Sequence, residues 1–406
     1  MRRAPRVAPM ALALLLLSSD AGAGGPAPTP VPPDGSPSPY PQRLATPEPG
    51  RRLPPLSAES YALVDLDTHR ILHHRRAEKR RPVASLTKIM TVLVALEETE
   101  QGEEVTVSVA AAAQAGSELG LVPGERIEME ELLYALMLQS SNDAAVAVAE
   151  HVAGSVPRFV RRMNRRARQL GLRDTRFASP NGLDDSGYST AADLARISAE
   201  AFAHPAFVRI ARTKLREFPA PGGAPTRMIQ SRNALLWLYR GAVGVKTGFT
   251  SAAGFCLVGA AERGNRRLAA VVLGAPGEAF TDTATLLDFG FRNWRLRTLL
   301  DAGEGVDPIV VQGVEVPVAP AEPIVALLPR GLEPTLAVEV SPDLTLPIAR
   351  GEPVGTVSAT AGGEEVGAAP LVAAAGAVSP PTLDELVDRV ARSVADTLEA
   401  LLDLVL

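Results

Sequence analysis

The chain is poor in several residue types, and each shortage excludes something. It has a single cysteine, Cys256, so neither an internal disulfide framework nor a multi-thiolate zinc site can form. Cys256 sits in the apolar run GFCLVGA, which predicts a buried structural thiol. Aromatic residues make up 4% against 46% hydrophobic residues, so the cores must be built mainly from Ala, Val and Leu. The five histidines are His69, His73, His74, His151 and His204; the first three fall on one predicted hairpin, read as a solvated surface. No serine lies in a G-x-S-x-G turn, which weighs against a Ser-His-Asp hydrolase. His73-His74 lacks convergent carboxylates, and no metal or cofactor is expected. Lysine is the sharpest shortage: of 41 basic residues only Lys79, Lys88, Lys214 and Lys246 are lysine.

The net charge is −5 and becomes −7 without residues 1–23, so nothing supports nucleic-acid binding. Those first residues hold Arg2, Arg3 and Arg6, an apolar stretch over 8–17 and Ala21-Gly22-Ala23. This is the pattern of a secretory signal and implies an exported protein of the cell envelope, a retained anchor being the alternative. Residues 24–55 are dense in Pro, Gly and Ser and read as a linker. Within 406 residues there is room for two or three domains. From about 57, SYALVDLDTHRILHHRR reads as two strands around a turn. Helices are predicted over 84–98, 126–152, 157–171 (basic on its outer face), 187–203 and 281–294, with Ser189-Thr190 as an N-cap. Strands are predicted at 240–245, 254–261 and 267–274, the last two turning at Arg263-Gly264-Asn265. This mixture suggests an α/β domain over 56–296 on an antiparallel sheet. Residues 297–378 carry short strand-like runs (PIVVQGVEV, PIVALL, TLAVEV, LTLPIA), the texture of a small all-β domain. Residues 379–406 form an amphipathic helix with Leu383, Leu386, Val387, Val390, Val394, Leu398, Leu401 and Leu402 on one side.

Ser85 and Lys88, in RPVASLTKIMTVLVAL, lie three residues apart at the mouth of an apolar run. Ser85 can be read as an ordinary helix cap or as a nucleophile beside its base. Two further motifs follow in order: Ser140-Ser141-Asn142 and Lys246-Thr247-Gly248. The set S-x-x-K, S-x-N, K-T-G is the signature of serine acyl-transferases acting on penicillin-like or D-alanyl-peptide substrates. Spacing i, i+3 puts Ser85 and Lys88 on one helix face. A lysine serves as base if burial and nearby positive charge lower its pKa, and Lys246 is the expected source of that charge. Arginine cannot be deprotonated in proteins, so in an arginine-rich chain a lysine at 88 is informative.

The chain from about 57 to 295 resembles the low-molecular-weight penicillin-binding proteins, the serine-type D-alanyl-D-alanine carboxypeptidases. Beyond the three motifs the likeness includes GSELGLVPGE, SPNGLDD, YSTAADLA, AGFCLVGAA and LLDFGFRNW. The resemblance implies a β-lactamase/transpeptidase-like domain, a following β-rich domain and a C-terminal helix that docks on a membrane surface. It also implies that peptidoglycan stems ending in D-Ala-D-Ala are the substrate and that β-lactams are acylating inhibitors. By the same resemblance Ser85 is acylated, Lys88 is the base and Ser140 relays protons. Asn142 would bond the substrate peptide, and Lys246 and Thr247 would hold its carboxylate beside Gly248. Backbone N–H groups of Ser85 and Phe249 would form the oxyanion hole.

Three positions depart from the family pattern. Ser141 stands where glycine is common, Ala279 where an arginine often precedes the Phe, and residues 383–406 carry six acids and two bases. Two other readings stay open. A class A β-lactamase shares the motifs, but none of Glu150, Glu200 or Glu217 has the Asn four residues on that such enzymes show. A catalytically silent peptidoglycan-binding relative is the other.

Overall fold

The computed structural model describes residues 52–218, 220, 226–381 and 383–405. The expected signal segment, and the linker up to residue 51, lie outside the described residues. The first strand, β1 (Ser60–Asp65), turns into β2 (Ile71–Arg75) as the alternation predicts. Three long strands follow late in the chain: β3 (Ala242–Thr250), β4 (Gly254–Arg263) and β5 (Arg266–Ala275). Together they make one antiparallel sheet in the order β2-β1-β5-β4-β3. The β4–β5 hairpin turns at Gly264-Asn265, where glycine takes the left-handed conformation (φ +62°) that a tight turn requires.

The helices fill both sides of this sheet. On one side lie α1 (Lys88–Glu98), α2 (Met129–Leu138), α3 (Asn142–Ala153), α4 (Val156–Gln169) and α5 (Ala191–Phe202). On the other lies α6 (Ala279–Asn293), packed on β1, β4 and β5 through Leu286, Leu287 and Phe289. The helix cores are largely Ala, Val and Leu, as so few aromatics require. Thr190 caps α5, its hydroxyl accepting from Asp193 N–H at 3.0 Å.

The single helix expected over 126–152 is in fact three pieces. Residues Arg126–Glu128 form a short strand with Glu104–Thr106, α2 follows, and the chain breaks before α3. The break falls at Ser140, whose φ of +68° cannot continue a right-handed helix. The histidine hairpin also differs from expectation. His69 and His74 are exposed, but His73 is half-buried, 5.1 Å from the Phe289 ring centre, and burial pushes its pKa down.

Residues 294–377 form the all-β part. A ribbon of Trp294–Leu300 with Ile324–Pro329 joins it to the α/β domain, where Leu327 packs in the core beside α6. Five further strands form a second antiparallel sheet: Val306–Val311, Val314–Pro320, Glu364–Ala373, Pro353–Ala361 and Thr335–Val340, in spatial order. LTLPIA is not one of them; Pro347 lacks a donor there, and Ile348 makes only an isolated bridge to Ala377. Two of the longest strands, Pro353–Ala361 and Glu364–Ala373, were not expected; Pro353, Gly355, Gly367 and Pro370 interrupt their Val and Thr residues. The terminal helix α7 (Leu383–Val405) presents Leu383, Val387, Val390, Val394 and Leu398 to solvent. None of the described helices is long and apolar enough to cross a membrane.

The close seat of α6 on the sheet gives a direct test. A methyl group added at Gly259 in β4 would come within 2.4 Å of Leu235 and 2.5 Å of Thr283. Gly259→Ala should therefore destabilise by about 1–3 kcal/mol through overpacking, read as a lowered thermal midpoint. An unchanged midpoint would show that this interface is looser than its geometry implies.

Candidate active site

Ser85 stands in a short 3₁₀ turn, Ala84–Thr87, that runs directly into α1 at Lys88. Its hydroxyl caps neither helix. In a 3₁₀ turn residues i and i+3 eclipse, so the two motif side chains meet more closely than along an α-helix. Ala84 just before it sits at φ +49°, a left-handed residue that turns Ser85 out of the entering chain. Lys88 Nζ lies 3.0 Å from Ser85 Oγ, 2.9 Å from Asn142 Oδ1 and 2.7 Å from the Asn181 carbonyl. The cap reading of Ser85 thus gives way to a serine–lysine pair.

Lys88 Nζ donates to the Asn142 and Asn181 oxygens; its third contact, with Ser85 Oγ, is a donor bond in the ammonium form and becomes an acceptor for the hydroxyl proton when the amine is neutral. Lys88 is fully buried, and its pKa is lowered to about 7. Burial is the first cause and the guanidinium of Arg232 the second, with the Asp143 carboxylate opposing. Arg232, to which the motifs did not point, adds positive charge at Lys88, and Lys88 and the expected Lys246 lie close enough to disfavour one another's charged form. Lys246 is itself buried, and burial together with Lys88 and Arg232 pushes its pKa well down. Its Nζ donates to the Thr247 carbonyl at 3.0 Å.

Each neighbouring segment has a local reason for its place. Asn142 opens α3, and its side chain is engaged at both ends, Oδ1 with Lys88 and Nδ2 with the Ala115 carbonyl. Its role visible here is to hold Lys88. Asp143, buried beside it, accepts from the backbone N–H groups of Leu119, Gly120 and Leu121 at 3.0–3.1 Å and so pins the GSELGLVPGE loop. Thr91 donates to the Pro180 carbonyl at 2.6 Å, which fixes SPNG over Lys88. A Cβ at Gly182 would fall 2.0 Å from the Ala84 carbonyl, so only glycine lets that loop close on the Ser85 turn.

The third motif arrives on β3, the edge strand of the central sheet. A Cβ at Gly248 would lie 3.1 Å from the Ser85 backbone nitrogen, which measures how close this strand runs to the nucleophile. Phe249, next along, is largely exposed, with its ring 4.5 Å from that of Phe255. Ser140 is buried at the α2–α3 break. The structure thus brings Ser85, Lys88, Asn142 and Gly248 together. It adds Asn181, Asp143 and Arg232, to which the motifs gave no role. Arg232 donates to Ser117 Oγ at 2.6 Å, and nothing in the sequence distinguishes it from the chain's other arginines.

Away from this centre, Cys256 is buried and its thiol is pushed up to about 11. Among the described residues Glu97, Glu200 and His204 approach one another as metal ligands would. Arg166 already donates to both carboxylates, so an arginine occupies the cation position.

Comparison with known proteins agrees with this geometry. The family model for D-alanyl-D-alanine carboxypeptidases matches residues 48–277, and that for the penicillin-binding protein 5 C-terminal domain matches 295–377. The chain is 32% identical over 330 residues to the D-alanyl-D-alanine carboxypeptidase DacF of Bacillus subtilis, covering 78% of this chain and 85% of that one. It is 33% identical over 344 residues to DacC of Escherichia coli, covering 79% and 84%. The solved penicillin-binding protein 5 of Haemophilus influenzae superposes with a TM-score of 0.66 at 30% identity, covering 81% of this chain and all of that one.

One departure from the family pattern is testable by itself. The Ser141 hydroxyl is buried and has no hydrogen-bond partner among the described residues. An unsatisfied buried hydroxyl is unfavourable, so Ser141→Ala should stabilise the protein by about 1 kcal/mol in a denaturant titration. A loss of stability would mean that the hydroxyl has a partner.

Proposed function

The chain belongs to the D-alanyl-D-alanine carboxypeptidase family, and from that premise we propose that it removes the terminal D-alanine of peptidoglycan pentapeptide stems through an acyl-enzyme on Ser85. The observation that carries this reading is the buried Lys88 amine, with its pKa lowered to about 7 and its Nζ 3.0 Å from Ser85 Oγ, so that its neutral form can take the hydroxyl proton. Lys88 takes the Ser85 proton as Oγ attacks the penultimate D-Ala carbonyl carbon. The oxyanion lies between the backbone N–H groups of Ser85 and Phe249, a pairing supported by the close run of β3 past Ser85. Collapse breaks the peptide bond, and the leaving D-alanine amine takes the proton from Lys88 by way of Ser140. Water then attacks the ester with Lys88 again as base, which frees Ser85 and the shortened stem.

Lys246 and Thr247 hold the terminal carboxylate. Burial, Lys88 and Arg232 disfavour the ammonium form of Lys246, and a substrate carboxylate would favour it, as a paired charge does in a buried place. Lys246 and the positive field of Arg232 take up carboxylate recognition where Ala279 replaces the common arginine. Asn142 Nδ2 reaches the substrate peptide by exchanging its bond to Ala115. A β-lactam enters by the same attack: its ring carbonyl acylates Ser85 and the ring opens.

The envelope setting follows from the same reading. Residues 1–23 direct export and 24–55 form the spacer, followed by a catalytic domain over 56–296, a β domain over 297–378 and a helix over 379–406. Leu383, Leu386, Val387, Val390, Val394 and Leu398 of α7 are solvent-exposed, which favours the helix lying on the membrane surface despite its acidic charge.

The decisive assay is D-alanine release from diacetyl-Lys-D-Ala-D-Ala by the mature protein. Ser85→Ala should release none, and Lys88→Arg should lose about 10²–10⁴-fold, because a guanidinium cannot act as base. Failure of the folded wild type to release D-alanine would favour the silent relative. The neutral amine is the active form, so kcat/KM should fall about tenfold per unit as pH drops below about 7 and level off above it. A profile with no limb near 7 would contradict Lys88 as the base.

A further inference from the structure

The helix α4 and the segment after it carry a charge pattern that the reaction does not use. Between Val156 and Arg176 there are eight arginines and one acid, in a chain whose net charge is −5. Arg162 and Arg166 turn toward α1 and pair with Glu98 and Glu97. Arg158, Arg161, Arg165 and Arg168 fall within roughly 80° of one another at 100° per residue, on the exposed side away from the buried Phe159, Met163 and Ala167. Arg173 and Arg176, also exposed, continue this face past the helix end.

The acids that face these side chains are few and mostly engaged. Glu98 lies 4.0 Å from Arg165 but pairs more closely with Arg162. Asp174 is held by Arg80 at 2.6 Å, and Asp184 feels the charge of Arg176 without pairing with it. Arg158, Arg161, Arg168, Arg173 and Arg176 therefore have no salt-bridge partner among the described residues. Three of them, Arg168, Arg173 and Arg176, line a groove of about 710 Å³ together with Gly171 and Leu172.

We propose that this arginine face docks a linear phosphodiester polymer of the cell envelope. The guanidinium fork matches phosphate oxygens bidentately, and a row of arginines over three helical turns suits a ligand whose charge repeats. An anionic bilayer fits less well. No large apolar residue is exposed between Val122 and Leu183, so the face has nothing to insert between headgroups. Docking here would hold an otherwise acidic enzyme within a polyanionic wall, independently of the Ser85 reaction.

The test uses the mature full chain with fluorescent poly(glycerol phosphate), read by anisotropy across a salt series. Five contacts predict a slope of log affinity against log salt of about −3.5 for a single-chain polyanion. Arg161→Glu/Arg168→Glu/Arg173→Glu should weaken binding more than tenfold and bring the slope to about −1.4 or shallower, since two contacts remain. D-Alanine release from the small peptide should stay unchanged. The milder Arg→Gln triple should show the same order if the charge reversal unfolds the chain. Equal loss on reversing the exposed Arg52, Arg240 and Arg350 would overturn the proposal, because binding would then reflect net charge alone. So would equal affinity for poly-glutamate, or binding confined to phosphatidylglycerol vesicles.

Discussion

The rest of the site depends on one buried amine. Lys88 Nζ touches Ser85 on its own turn, Asn142 at the start of α3 and Asn181 in the SPNG loop, so a single nitrogen ties three separate segments together. Such a group is tolerable in the core only if it is neutral or fully paired. Here three oxygens surround it, and burial together with Arg232 lowers its pKa to about 7. The features that lower its pKa are the same ones that keep it in place.

The fold's contribution is to bring rigid elements within contact of that amine. Asp143 closes one loop over the start of α3, Thr91 fixes a second, and β3 runs so near Ser85 that a Cβ at residue 248 would be crowded. The left-handed residues Ala84 and Ser140 sit at the two turns that aim motif serines inward. Backbone strain of order 1–3 kcal/mol at each such turn is held by the packing around it. Reactivity thus resides in a few unusual backbone positions supported by an ordinary Ala/Val/Leu core.

Much of this was legible in the sequence, for physical reasons. The short apolar runs of β1, β4 and β5 identify strands covered on both faces, and the longer apolar runs of α1, α5 and α6 identify helices buried nearly all round. The scarcity of lysine singles out Lys88, since arginine cannot do its work. The end of the apolar helix ELLYALMLQ at Ser140 was legible, but the restart as a separate helix was not, because SSNDAAVAVAEHVA keeps helical spacing and only a φ of +68° at Ser140 divides the two. The strands at 353–361 and 364–373 were missed because Pro353, Gly355, Gly367 and Pro370 interrupt their Val and Thr residues; pairing makes them strands. Arg232 was invisible for a different reason. It reaches Lys88 through space, from a position that no spacing rule connects to the motifs.

The shortage that opens the sequence also supplies the most direct measurement. Protein grown with carbon-13 at the lysine ε position has four side-chain resonances, assignable by single Lys→Arg changes, and the Lys88 signal can be followed as pH is raised. The account predicts a midpoint close to 7 in the folded free enzyme, moving upward in Arg232→Gln as the neighbouring positive charge is removed. A Lys88 signal that stays protonated beyond pH 9 would contradict the neutral-amine base on which the rest of the account is built.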